Sequence, residues 1–212
     1  MKKKLKLAFT IFAGFLVLFI ILAALIISAP QSFPYSVEEA EKDALLASEI
    51  VDMISDAVVD EDGNIPDIAE ITIPAENVNA LLRITAYRLN REMKNEGIEC
   101  SLGWENSSVK AAASIPLPVV KGLNVRGTAS PAIADGVLTV SSLKMRAGHL
   151  PVSNFGFVKE NITADDIRDE KLKLAFEAIH DLAATPDGSL KIGIYPAKIS
   201  NLTRILIVEE EE

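Results

Sequence analysis

The sequence predicts an α+β protein: an N-terminal transmembrane helix, then a curved antiparallel sheet wrapped around a long helix. Three observations lead there. An uncharged run at residues 7–27 follows the basic start MKKKLK. Residues 98–148 read as consecutive strands with short turns between them, the pattern of an antiparallel meander. On either side of that block, apolar residues recur at helical spacing.

As a helix the uncharged run is about 30 Å long, enough to cross a hydrocarbon core. Lys2, Lys3, Lys4 and Lys6 put its start on the cytoplasmic side. A cleaved signal peptide would have a shorter apolar run and a small-residue cut site, whereas here Pro30 stands just where a cut after Ala29 would fall. The expected organisation is a basic cytoplasmic segment at 1–6, an anchor at 7–29 and a linker at 30–36. A single extracytoplasmic domain at 37–208 and an acidic tail at 209–212 complete it. The localisation implied is the cell membrane, crossed once. The formal net charge is −9, and four of the lysines precede the domain, so the domain itself is more acidic still. Acidity of that size disfavours nucleic acid and anionic headgroups as partners. The one cysteine, Cys100, leaves no intrachain disulfide, so a packed core must stabilise the fold.

Within the domain, Ser36 is placed to cap a helix with Glu38 and Glu39 in its first turn. Its apolar positions run from Val37 to Val58, and its alanines suit docking on the domain. A short strand at 68–73 ends at Pro74. A second helix follows, with Val78, Leu81, Leu82, Thr85, Leu89 and Met93 as its stripe; Arg83 falls off it, and Gly97 closes it. The meander has strands near 98–104, 109–117 and 123–130, and Asp135-Gly136 marks a tight hairpin. Thr163 opens a third expected helix, whose stripe extends from Leu172 to Ala183. Strands at 190–194 and 202–208 end the domain.

The strand after Asp135-Gly136 contains a slip. Leu138 and Val140 are apolar at even positions, Leu143 and Met145 at odd ones. Two residues at Ser141-Ser142 stand where one is expected, the mark of a β-bulge, which bends a strand and raises its twist. Gly127 in the partner strand permits the bend. The inward face then carries small residues (Ala111, Ala113, Gly127, Ala129) that leave width for a bulky helix side chain or for a ligand.

Residues 73–82 (IPAENVNALL), 135–138 (DGVL) and 148–151 (GHLP) occur in that order. With the anchor and the meander they resemble bacterial membrane-anchored proteins of the YpmS-like kind, which in turn resemble the tubular lipid-binding superfamily. That resemblance covers residues 68 to 208. It implies a helix cradled by a curved sheet, with an elongated apolar groove able to hold an acyl chain. It implies no catalytic residue.

No motif of catalysis is present: there is no HExxH, GxSxG, glycine-rich phosphate loop or CxxC. His149 and His180 stand far apart in the sequence. The sequence therefore predicts a non-enzyme with no cofactor and no metal. Two readings remain. In one, a groove binds lipid or another apolar ligand, bounded by Leu81, Leu82, Thr85, Leu89, Val125, Leu138, Val140, Leu143 and Met145. In the other, the chain is a bitopic scaffold that docks an envelope protein, and the groove is filled core.

Overall fold

Ser36 begins the first helix with a reciprocal cap. Its hydroxyl accepts the Glu39 N–H at 3.1 Å, and the Glu39 carboxylate accepts the Ser36 N–H at 2.8 Å. The computed structural model describes residues 31–59, 64–117, 120–152 and 161–199. The helices are α1 (Val37–Val58), α2 (Ala75–Glu92) and α3 (Glu170–Glu177). The strands are β1 (Ala69–Ile73), β2 (Glu99–Glu105), β3 (Ser108–Leu117), β4 (Val120–Ala134) and β5 (Val137–Ala147), then β6 (Leu150–Pro151), β7 (Asn161–Thr163), β8 (Ile179–Ala184) and β9 (Leu190–Ile194). Among the described residues no helix is long and apolar enough to cross a membrane. The expected anchor at 7–29, the last strand at 202–208 and the acidic tail lie outside the described residues.

All strand pairs are antiparallel, in the order β1-β9-β8-β4-β3-β2, with β5 on β4 and both β6 and β7 on β5. The fold is thus α+β, with helices on a curled antiparallel half-barrel. β4 makes the curl. Its first half pairs with β3 and its far end, at Ile133, with Leu182 of β8. The β2–β3 turn then meets the β8–β9 turn, where Trp104 Nε1 donates to the Gly188 carbonyl at 2.6 Å and Ser107 Oγ to that of Thr185 at 3.1 Å. The β2–β3 and β4–β5 turns have positive φ at their two central residues, Asn106-Ser107 and Asp135-Gly136, as the twist of the flanking strands requires.

The slip in β5 is a bulge. Thr128 faces Lys144 and Ser130 faces Ser141, so Ser142 and Leu143 together stand opposite Ala129. Ser142 takes φ +53°. On unbroken β4, Ile133, Pro131, Ala129 and Gly127 share one face. Leu138 and Val140 pair with the first two, and Met145 pairs with Gly127. The extra residue therefore returns Leu143 and Met145 to the face that holds Leu138 and Val140.

The core lies between α1, α2 and the β1–β9 end of the sheet, with Ile50, Ala69, Ile71, Ile73, Val78, Trp104 and Ile194 buried. Burying each large aliphatic side chain contributes about 1.5–3 kcal/mol. Two polar clamps hold α1 on α2. Arg83 donates to both carboxylate oxygens of Asp43, at 2.7 and 2.6 Å, and Asp43 is only 1% exposed. Asn77, buried, donates to the Leu46 carbonyl and to Glu49. α1 thus docks on the domain, and Arg83, which the helical stripe assigns to solvent, is an interhelical ligand.

The third helix is a correction. Thr163 and Asp166 form their capping box, but it closes only a 3₁₀ turn at Ala164–Asp166. α3 is eight residues long, and Ile179–Ala184 is a strand. The spacing of Ile179, Leu182 and Ala183 mimics a helical stripe, yet this segment fills the gap between β9 and β4 and takes its conformation from that pairing.

Candidate functional site

The inward face of the meander and the end of α2 enclose an apolar groove of about 490 Å³. Alternation selects its floor. Cys100 and Leu102 of β2, Val109, Ala111 and Ala113 of β3, and Val125, Gly127 and Ala129 of β4 stand in matched rows. Leu143 and Met145 of β5 close one side, and Leu89 and Met93 overhang from the helix. The width comes from four residues with a methyl group or less in adjacent rows. A Cβ added at Gly127 would meet the Lys144 carbonyl oxygen and Met145 Cγ at 3.5 Å, an ordinary contact, so a methyl group would fit there without strain.

Asparagines set the height of α2 over this floor. Asn90 accepts the Cys100 N–H at 2.6 Å and donates to the Cys100 carbonyl at 2.8 Å. Asn79 accepts the Trp104 N–H at 2.9 Å. The helix thereby satisfies the outer edge of β2 as a neighbouring strand would, which also protects that edge from other chains. Burial pushes the Cys100 thiol up, away from thiolate at neutral pH.

The expected site residues divide. Leu89, Val125, Leu143 and Met145 line the groove. Leu82 turns instead to the core cluster. Leu81, 46% exposed, and Thr85 share a helical row with Leu89 but face solvent. Leu138 and Val140 lie on the correct face of β5 but beyond the bulge, opposite Ile133 and Pro131, and do not line the groove. Met93, Cys100, Leu102 and Val109 were missed as lining. The alternation of β2 and β3 carried the signal for the last three.

The groove offers little chemistry. Among the described residues no acid or base lines it, the Cys100 thiol and the Thr128 hydroxyl are its thiol and hydroxyl groups, and no group of His, Cys, Asp and Glu could hold a metal ion. His180 meets its neighbour Asp181, Nδ1 to Oδ1 at 2.9 Å, and the edge of Tyr195, away from the groove.

Fold and site together define an α+β protein with a curled antiparallel sheet and an open apolar groove under a helix. Comparison with protein-family models, with curated proteins and with solved structures finds no match in any of the three.

Proposed function

We propose that the chain is a membrane-anchored, extracytoplasmic protein whose groove takes a lipid or another apolar ligand. On this reading residues 7–29 are the anchor, and α2 is the helix that the curved sheet cradles, as the YpmS-like resemblance implies. The observation that supports it is the groove: about 490 Å³ with a floor of small apolar residues. That volume lies within the range of small-molecule sites, and each CH₂ of a ligand buried there contributes about 0.8 kcal/mol. The second reading, a scaffold for an envelope protein, draws on Leu45 and Val51 of α1, 70% and 61% exposed.

Widening Ala113 or Ala129 to Leu separates the two. In an open groove the added bulk displaces a fluorescent fatty-acid probe and leaves Tm nearly unchanged. In a filled core it costs about 1–3 kcal/mol through overpacking. Variants that melt early and leave probe binding as it was would defeat the lipid reading and favour the scaffold.

A further inference from the structure

The opposite face of the same strands has a different character. Outward positions of β3, β4 and β5 carry Lys110, Arg126, Lys144 and Arg146, which surround a shallow depression of about 560 Å³. Arg126 and Arg146 are directly paired across β4 and β5, and both are exposed. Like charges placed opposite each other weaken a sheet. Glu105, at the end of β2, pairs with Lys110. Among the described residues no carboxylate pairs with Arg126, Lys144 or Arg146, in a chain with 30 acidic side chains.

The chain enters the domain at the rim of this face. Gln31, the first described residue, donates its N–H to Ser114 Oγ at 3.1 Å, and the Phe33 N–H goes to Glu99 at 3.0 Å. Ser114 stands two residues along β3 from Ala112, the partner of Arg126, so about 7 Å separates the entry point from the first row of cations. The uncharged run at 7–27 ends just before that point.

We propose that this basic face is seated on the anionic surface of the bilayer that holds residues 7–29, with lipid phosphates between the opposed arginines. The proposal rests on the anchored reading above. Two observations select a bilayer over other anions: the charge is spread over a sheet face, and in sequence the apolar run ends only a few residues before Gln31, at the rim of that face. Net acidity argues against anionic partners for the whole chain, but segregation of charge reverses the argument for this surface. The groove then opens away from this bilayer, and its ligand exchanges on the far side.

The full chain, reconstituted into lipid nanodiscs, tests it. Discs are made of phosphatidylcholine alone, or of equal parts phosphatidylcholine and phosphatidylglycerol. A water-soluble acylating reagent then reports the reactivity of Lys110 and Lys144, with exposed Lys198 as reference. Anionic discs should slow Lys144 acylation about fivefold. High salt, or the double variant Arg126→Gln/Arg146→Gln, should abolish that protection while leaving fatty-acid binding in the groove unchanged. Inorganic phosphate added to the zwitterionic discs should not reproduce it. Equal reactivity of Lys144 in the two kinds of disc overturns the proposal and leaves the anchor standing. Protection by soluble polyglutamate but not by anionic discs also overturns it, in favour of an acidic protein. A chain that does not remain with the discs overturns the anchored reading, and this proposal with it.

Discussion

Ser142 is a β-strand residue with the backbone of a glycine. Its φ of +53° places it in the left-handed region, which costs a non-glycine residue roughly 1–2 kcal/mol. Its side chain is exposed, so packing does not offset that strain. Ser142→Gly should therefore stabilise the fold by about 0.5–1 kcal/mol, after the greater freedom of glycine in the unfolded chain is allowed for. Ser142→Val should destabilise it by about 1–2 kcal/mol. Chemical denaturation of the two variants measures both signs. A valine variant as stable as the parent would mean that β5 runs through without the bulge. The slip was legible from the sequence because alternation is a local signal. Arg83 was not legible as a buried partner, because its carboxylate lies 40 residues earlier, on another helix.

Between elements, the pair Asp43–Arg83 and the phenol of Tyr35 tie α1 to α2. Burial alone would raise the Asp43 carboxyl, but hydrogen bonds from Arg83 and from Tyr35, the latter at 2.6 Å, outweigh it and hold the carboxyl below the usual carboxylate range. Burial and the same bond to Asp43 push the Tyr35 phenol up. The contribution of Asp43 is complete above its unfolded value, about pH 4, and is lost as pH falls through the lower folded value. That of Tyr35 is complete below about pH 10 and is lost as pH rises from there through the folded value. Arg83→Ala leaves a buried carboxylate without its cation. It should cost about 3 kcal/mol at neutral pH, near the low end for such pairs because the Arg83 side chain is 44% exposed. The deficit should narrow in acid, where a protonated Asp43 no longer needs the charge. Urea titrations of parent and variant across pH measure this; a deficit that stays constant into acid would show that packing, not charge, joins the helices. Element identity was legible at Ser36 and at Asp135-Gly136, where turn chemistry fixed it. It failed at β8, whose strand state depends on β9 and β4.

On the scale of the whole molecule, one set of strands separates two environments, an apolar groove inside and a cationic face outside. The small residues of the groove, Ala111, Ala113, Gly127 and Ala129, could be named from alternation alone. Its helical wall could not, because the rotation of α2 is set by Asn79 and Asn90 on the edge of β2, which turns Leu82 into the core and only the Leu89 end of its row over the floor. The basic face emerged only with the register, since Lys110, Arg126, Lys144 and Arg146 come from three strands.

The central claim, that the groove accepts an apolar ligand, is read most directly at Cys100, the one cysteine of the chain and part of the groove wall. The measurement is the rate at which N-ethylmaleimide alkylates the full chain while a fatty acid is titrated below its micelle concentration. If the ligand occupies the groove, the rate falls saturably with added fatty acid, and in the Ala113→Leu variant it no longer responds. A rate that stays the same at every fatty-acid concentration, in a chain shown to be folded, would contradict the account.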